Sequence, residues 1–341
     1  MIGRRLTRRQ RAQILAVQER RRARAGQSPE NGDHAGPGPE RTGLVIAHHG
    51  RTLVIEDGAG RLYLCAARQN LGRLACGDRV VWQPAGAGEG VIVAVGERRS
   101  LLARPDYHGR PRPVAANLDA VAVVLAPAPE PSESLIDRYL VAIAAIGVQG
   151  LLVLNKIDLL DRTGLAALTE RLAPYCRIGY PLLFASSHTA HGLDELRAWL
   201  RGRTSLLVGQ SGVGKSSLIK ALLPDREIRI QAVSQTTGHG AHTTSASTLY
   251  HLPDGGELID TPGVRSFELG EIGLNQLDQG FTDLAPYWGR CRFSDCRHDA
   301  EPGCALREGV ARGEIAPRRL DSYRQLRAAL ETAAKPGRPS S

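Results

Sequence analysis

The sequence of 341 residues has no apolar run long enough to cross a membrane, because a transmembrane helix needs about 20 consecutive apolar residues. Its Arg-rich start, residues 1–27, also lacks the apolar stretch of a secretory signal peptide. Aromatic residues make up only 4% of the chain, whereas hydrophobic residues as a whole reach 42%. We therefore expect a soluble, cytoplasmic protein of two or three domains, with cores of Leu, Val, Ile and Ala.

Acidic residues are outnumbered by basic ones, and the net charge of +9 is concentrated near the start of the chain. Residues 1–30 hold nine Arg against only Glu19 and Glu30, which is a net charge of +7. Such a block can bind a polyanion such as nucleic acid. A solvated leader that only aids solubility is the alternative, because block charge alone does not identify a partner.

Five short strand candidates follow a Pro- and Gly-rich linker at residues 28–40. They are the segments TGLVIA, RTLVIE, RLYLCA, GDRVVWQ and GVIVAVGE, separated by turn signals. Five strands in about sixty residues are typical of a small barrel. The OB-fold is the first candidate and an SH3-like barrel is the alternative.

From about Asn117 onward, strands and helices alternate as in a doubly wound α/β domain. Strands are predicted at LDAVAVVLAP, GLLVLNK, PLLFASS, TSLLVG and GELID, and a helix follows each of the first four. Short helices and a cysteine cluster come after about Asn275. The sequence thus predicts a leader and linker at residues 1–40, an all-β barrel at 41–104, an α/β domain at 105–274 and an α-helical domain at 275–341.

A phosphate-binding loop is predicted between the strand TSLLV and the helix SSLIKALL, because Gly209–Ser216 fits G-x-x-x-x-G-K-S. Its glycines allow backbone N–H groups to surround a phosphate at the positive end of a helix. Lys215 is expected to reach the β- and γ-phosphates, and Ser216 to ligate Mg²⁺. The predicted nucleotide-binding residues of this loop are Gly209, Gln210, Ser211, Gly212, Val213, Gly214, Lys215, Ser216 and Ser217.

A base-reading motif, Asn155-Lys156-Ile157-Asp158, follows the strand GLLVL. Asp158 can accept hydrogen bonds from N1–H and the exocyclic amino group of guanine, whereas adenine offers an acceptor at N1 and lacks that amino group. Asn155 is expected to bind the base edge and to tie the motif to the phosphate loop, while the Lys156 stem covers the purine face. A weaker signal, Ser186-Ser187, resembles a loop whose backbone binds guanine O6.

A metal and γ-phosphate loop is predicted at Asp260-Thr261-Pro262-Gly263, after the strand GELI. Asp260 is expected to hold Mg²⁺ through water, and the Gly263 N–H to sense the γ-phosphate. Ras-type GTPases have a Gln after this Gly that orients the attacking water. The residue here is Val264, so another group must position the water.

The Gly- and Thr-rich segment at residues 234–244 suits a loop that orders when nucleotide binds. Thr243 or Thr244 is expected to supply a second hydroxyl to Mg²⁺, and Thr243 is the first candidate. His242 or His239 is expected to help place the water. A solvated loop histidine is the alternative for each of the two.

A zinc site is predicted from Cys291, Cys296, His298 and Cys304, which form the pattern C-x4-C-x-H-x5-C. Three thiolates and an imidazole make a closed tetrahedral set, which is structural because no position remains for water. Reduced free cysteines in a core are the alternative. The three remaining cysteines are scattered and are predicted to be small core residues: Cys65, Cys76 and Cys176.

The order of these motifs is permuted, because the base motif precedes the phosphate loop and DTPG comes last, whereas ordinary GTPases begin with the phosphate loop. With the barrel, Thr243-Thr244, DTPGVR and the cysteine cluster, this order resembles the RsgA family, also called YjeQ or YloQ. These are bacterial GTPases of small ribosomal subunit maturation. The resemblance spans about Arg41 to Leu330 and includes ANLDAVAVV, LIDRYLVAI, NKIDLL, GQSGVGKSSLI and CRFSDCRHDAEPGCAL.

The resemblance implies an OB-fold that touches ribosomal RNA, GTP hydrolysis stimulated by the small subunit, and release of the factor afterwards. It also places His242 at the family's histidine position. One departure is the switch loop, where the family's G-R-G-R-H-T-T reads GHGAHTT at residues 238–244. Both Arg are missing, which weakens a role of this loop in binding phosphate backbone.

The leading hypothesis is a Mg²⁺-dependent GTPase with one structural zinc that binds the small ribosomal subunit and its rRNA. We expect a monomer with no membrane partner. One alternative is an RNA-binding module whose nucleotide site only tunes affinity. A P-loop kinase or ATPase is disfavoured by Asp158. A GTPase that serves another RNA or a membrane is disfavoured by the barrel and the cysteine cluster.

Overall fold

The computed structural model describes residue 19 and residues 38–49, 52–105, 110–225, 247–261 and 272–334. Several predicted features fall outside these ranges: nearly all of the basic leader, the segment 234–244 with its threonines and histidines, and the residues from Pro262 to Val264. Among the helices of the described residues, none has the length and hydropathy of a membrane span.

The first domain is a closed barrel of five strands. They are β1 (Arg41–His49), β2 (Thr52–Glu56), β3 (Leu62–Ala67), β4 (Arg79–Gly86) and β5 (Glu89–Val95). Their order is β1-β2-β3-β5-β4, and β4 pairs with β1 to close the barrel. Only β3 and β5 run parallel among these neighbours. This connectivity is that of an OB-fold, so the first candidate is confirmed and the SH3-like alternative is wrong.

The barrel core is built from the inward positions of each strand, as the period of two along a strand requires. Val45, Ile55 and Ile92 are completely buried, and they pack with the fully buried indole of Trp82. The Tyr63 ring covers Trp82 at a centroid distance of 4.4 Å. Two aromatic side chains, Trp82 and Tyr63, therefore pack among the aliphatic residues of the barrel core.

A hairpin of β6 (Leu101–Pro105) and β7 (Pro111–Ala116) connects the barrel to the central sheet. Its sequence gives a weak strand signal, because Pro111 and Pro113 cannot donate to a ladder and the strands are short. The hairpin spans the boundary predicted at residue 104, and the domain boundaries therefore stay predictions.

The central domain has a mainly parallel sheet in the order β10-β9-β8-β11-β13-β12. Its strands are β8 (Ala120–Leu125), β9 (Gln149–Leu154), β10 (Leu182–Phe184), β11 (Thr204–Val208), β12 (Thr248–His251) and β13 (Glu257–Asp260). All six residues of β8 are buried, because helices cover both faces of the sheet. The helices are α1 (Glu133–Ile146), α2 (Arg162–Arg177), α3 (Leu193–Leu200) and α4 (Lys215–Leu222).

The barrel and the central domain share one sheet of eleven strands. The junction is an antiparallel pairing of β1 with β12, where Ala47 faces Thr248. The thiol of Cys76 reinforces it by donating to the Ser247 carbonyl at 3.0 Å. The strand β12 was missed by the sequence prediction because it has only four residues and gains its stability from neighbours on both sides.

The C-terminal domain contains α5 (Leu274–Gly280), α6 (Ala305–Ala311) and α7 (Pro317–Ala334). The last helix begins at Pro317, a position that suits a proline because the first helical N–H needs no partner. Phe281 and Tyr323 are completely buried in its core, with rings in an edge-on contact at 5.3 Å. Of the scattered cysteines, Cys65 and Cys76 are buried, but Cys176 is exposed near the end of α2, so its core assignment is wrong.

A buried ion network joins the C-terminal domain to α1. Arg319 of α7 is only 3% exposed and binds the completely buried Asp137 of α1. Its guanidinium also donates to both oxygens of Asp283, at 2.6 and 3.0 Å, and lies over the Phe281 ring at 4.3 Å. Burial raises the pKa of Asp137, while the positive charge of Arg319 opposes this shift. The C-terminal domain and α1 are thus joined by buried opposite charges, in which Arg319 neutralises Asp137.

Removing the Arg319 cation should destabilise the folded protein, because it leaves Asp137 buried without its counter-charge. We expect Arg319→Ala to lower the free energy of unfolding by about 3–5 kcal/mol. Denaturant unfolding followed by tryptophan fluorescence measures this. The control is Arg312→Ala, which removes an exposed pair with Glu314 and should cause no measurable change. Equal effects of the two substitutions would show that the network does not hold the domains together.

Candidate nucleotide-binding site and metal centre

The phosphate loop leaves β11 and turns sharply into α4. Gly209, Gly212 and Gly214 have φ angles of 144°, 85° and 93°, which residues with a Cβ rarely adopt. Lys215 Nζ folds back over the loop and donates to the carbonyls of Gly209 at 2.7 Å and Gln210 at 2.6 Å. Its ammonium group therefore sits inside the curve where a phosphate would bind.

The base-reading motif is locked to this loop by Asn155, which is completely buried. Its Nδ2 donates to the Val213 carbonyl at 2.9 Å, and its Oδ1 accepts from the Ser187 N–H at 3.4 Å. A Cβ on Gly214 would lie 2.3 Å from Asn155 Nδ2. The lack of a side chain at Gly214 is thus what allows the two loops to approach.

Lys156 and Asp158 stand on the exposed side of the same motif. Lys156 has a left-handed φ of 60°, and its Nζ donates to the carbonyls of Ala128, at 3.2 Å, and Gly212. The Lys156 stem therefore crosses the space between the base motif and the phosphate loop. The Asp158 carboxylate is exposed, so it is open to a ligand.

Ser186 has a contact that the sequence did not indicate. Its hydroxyl donates to Asp158 Oδ1 and accepts the N–H groups of His188 and Thr189, at 3.2 and 3.1 Å. The serine is completely buried, and it holds the carboxylate in one orientation. The signal in the sequence was only a serine after a strand, which fits many loops.

Tyr139 is a second residue that the sequence analysis missed. It is 1% exposed on α1 and forms a hydrogen bond with the backbone of Gly209. Burial raises the pKa of Tyr139 to about 12. The apolar spacing of α1 predicts a buried face, but it does not reveal that this face supports the phosphate loop.

These loops meet because they follow parallel strands, whose carboxyl ends lie at one edge of a sheet. Asp260 ends β13, next to β11, and is half-buried at that edge. Ser216 and Ser217 lie exposed in the first turn of α4. The remaining predicted residues of this site lie outside the described ranges: His242, Thr243, Thr244 and Gly263.

The structure also brings together the four predicted metal ligands. One donor atom from each lies within 4.8 Å of the others, in the set Cys291, Cys296, His298 and Cys304. The His298 Nδ1 lies 3.4 Å from the Cys291 Sγ and 3.6 Å from the Cys304 Sγ. This spacing and donor set fit a single ion with bonds of about 2.0–2.3 Å. The cluster could therefore hold a metal ion.

The loop that carries these ligands is fixed by its surroundings. The His298 ring packs against Trp288 at 5.6 Å and Tyr323 at 6.0 Å, and its burial lowers its pKa, which favours the neutral imidazole that metals bind. Arg324 donates to the carbonyl of His298. Glu301 accepts two backbone N–H groups at 2.8 Å, which lowers its pKa to about 2.

Known proteins with similar sequences agree with this arrangement. The family model described as RsgA GTPase matches residues 95–270. The "Small ribosomal subunit biogenesis GTPase RsgA" of Azotobacter vinelandii is 49% identical and covers 97% of this chain and 98% of that protein. The protein of the same name from Ectopseudomonas mendocina is 47% identical with the same coverage.

Two solved structures share the fold and the permuted order. YjeQ from Thermotoga maritima has a TM-score of 0.70 and 34% identity, over 86% of this chain and 99% of that one. YloQ, described as a circularly permuted GTPase, has a TM-score of 0.68 and 28% identity, over 91% and 100%. From the 49% identity over nearly the whole chain, the closed barrel and the permuted nucleotide loops, we conclude that this chain belongs to the RsgA GTPase family.

Proposed function

We propose that this GTP-hydrolysing enzyme binds the small ribosomal subunit and assists or checks its late maturation, with turnover that the subunit stimulates. The observation that carries the proposal is the nearly full-length similarity to proteins named for small ribosomal subunit biogenesis. The barrel supports it, because OB-folds bind oligonucleotides. The nucleotide loops supply the hydrolytic site.

Within that site, we propose that Lys215 binds the β- and γ-phosphates and that the Gly263 N–H senses the γ-phosphate. Ser216 and Thr243 would hold Mg²⁺, with Asp260 acting through water and Thr244 as the alternative hydroxyl. The bound ion neutralises charge on the phosphates. His242 would place the attacking water, since Val264 has no hydrogen-bonding side chain.

The guanine base would be read by Asp158, whose orientation Ser186 maintains. Asn155 ties the base loop to the phosphate loop, and the Lys156 stem covers the ring. The Ser187 backbone is proposed for guanine O6. Hydrogen bonds among the motif residues already hold their side chains in place, which reduces the ordering of the protein that nucleotide binding requires.

The cysteine and histidine cluster would hold one structural zinc, since three thiolates and an imidazole leave no open position. We further propose a cytoplasmic monomer with rRNA as a partner. Its domains would be a leader and linker at 1–40, the barrel at 41–104, the GTPase at 105–274 and the zinc-binding domain at 275–341.

The decisive experiment measures GTP hydrolysis by the full-length protein alone and with small subunits, large subunits or bare RNA. We expect slow intrinsic turnover and strong stimulation by small subunits only. Lys215→Ala should abolish both rates, which serves as the background control. Equal rates in every condition would overturn the ribosomal assignment while leaving the enzyme a GTPase.

Asp158→Asn should change the base preference from guanine to xanthine. The reason is that the asparagine amide can donate to the xanthine carbonyl that occupies the position of the guanine amino group. We expect GTP affinity to fall by about 10²-fold and affinity for xanthosine triphosphate to rise. Titration with fluorescent nucleotides measures both. The matched control is Asp161→Asn in the following turn, whose carboxylate caps α2. Unchanged selectivity in Asp158→Asn would rule out this base-reading role.

Zinc and nucleotide binding should be separable. We expect Cys304→Ser to lose zinc while still binding GDP, and Lys215→Ala to lose turnover while keeping one zinc per chain. Elemental analysis and nucleotide titration of both purified variants provide the four values. Loss of zinc from Lys215→Ala would contradict the expectation that each site forms without the other.

A further inference from the structure

A cavity of about 710 Å³ lies at the amino edge of the central sheet, opposite the nucleotide loops. One wall is formed where β8, β11 and β13 begin and β12 ends. The other wall belongs to the barrel, where β4 begins and the chain leaves β5. The arginine and carboxylate side chains that line the cavity are Arg79, Arg99, Arg201, Arg203, Asp119 and Glu257.

Both acidic residues of the cavity already have partners. Asp119 pairs with Arg99 at 2.7 Å and accepts the Thr204 N–H at 2.9 Å. Glu257 accepts the hydroxyl of Thr204 at 2.6 Å. Four guanidinium groups thus stand against two carboxylates, and the cavity has a surplus of about two positive charges.

The surplus positive charge lies on exposed arginine side chains. Arg79 comes from the barrel and Arg201 from the turn after α3, and both are exposed. Within the part of the chain that the structure describes, neither guanidinium has a hydrogen bond or an ion pair. Two positive groups that face one cavity from two domains favour an anion between them.

Arg203 adds a guanidinium that is already immobilised. It donates to the carbonyl of Trp199 and, at 3.2 Å, to the side chain of Gln149, and it lies 5.2 Å from the Trp199 ring centre. A planar fork held in this way loses little entropy when it binds phosphate oxygens.

We propose that this cavity binds the sugar–phosphate backbone of RNA, with Arg79 and Arg201 each contacting a phosphate. The volume is that of a pocket for a drug-sized ligand, which is far more than one phosphate ion needs. An RNA strand in the cavity touches the barrel and the GTPase domain together. The proposal rests on the proposed function for its natural RNA, the small subunit, although bare RNA also tests it.

The test compares Arg79→Ala/Arg201→Ala with Arg162→Ala/Arg177→Ala, in full-length protein saturated with GDP. The control removes the same charge from exposed arginines of α2 that have no side-chain partner among the described residues. Affinity for small subunits and for a mixed-sequence single-stranded oligoribonucleotide is measured against KCl concentration. Circular dichroism and the thermal midpoint verify that both variants are folded.

We expect the slope of log affinity against log salt to fall in magnitude by about 1.5 for the cavity variant only, since each lost phosphate contact removes about 0.7–0.9. An unchanged slope, or an equal fall in the control, overturns the proposal. A further experiment measures whether pyrophosphate stabilises each protein against unfolding. If it stabilises the native protein but not the cavity variant while the RNA slopes agree, the occupant is a small anion and the RNA proposal is wrong.

The two proposals fail separately. If native protein does not bind small subunits but the slopes on bare RNA still differ, the ribosomal function fails and the cavity proposal stands. If small subunits stimulate turnover but the slopes agree on both RNAs, the cavity proposal fails alone.

Discussion

The nucleotide site depends on the hydrogen bond from the buried Asn155 amide to the Val213 carbonyl. The two residues belong to loops that follow different strands, and in this permuted chain the base loop comes first. The bond forms only because Gly214 has no side chain to fill the space beside the amide. Neighbouring hydrogen bonds position the rest of the base loop. Lys156 donates to the Gly212 carbonyl, the Ser187 N–H donates to Asn155, and the Ser186 hydroxyl holds Asp158. The order of the segments along the chain thus matters less than the single edge of the sheet at which they end.

The helix α1 connects this site to the C-terminal domain through its two sides. Tyr139 contacts the Gly209 backbone of the phosphate loop. Two residues earlier, Asp137 binds Arg319 of α7, and Val141 lies in the C-terminal core. Because these three residues lie close together on one helix, α1 contacts both the phosphate loop and the C-terminal core.

The parts of the site that follow a local pattern were predictable from the sequence, and the parts that depend on tertiary contacts were not. The phosphate loop, Asn155–Asp158 and the four candidate metal ligands are defined by residue types at fixed spacing. The roles of Ser186 and Tyr139 arise from contacts with distant segments, which no spacing records. The strand β12 exists because β1 and β13 lie on either side of it, and Cys176 faces outward through the rotation of α2, which its neighbours in sequence do not reveal.

The two edges of the central sheet carry opposite chemistry. The carboxyl edge carries the phosphate loop with Lys215 and the end of β13 at Asp260, where we propose that the nucleotide binds, while the amino edge meets the barrel and gathers arginines around a cavity. The strand β11 spans the distance between them in five residues, from Thr204 at the cavity to Val208 before the phosphate loop. An anion at the amino edge is therefore too remote to touch the nucleotide. The strands β11 and β13 each begin at the cavity and end at the nucleotide loops, so they are structural elements that the two sites share.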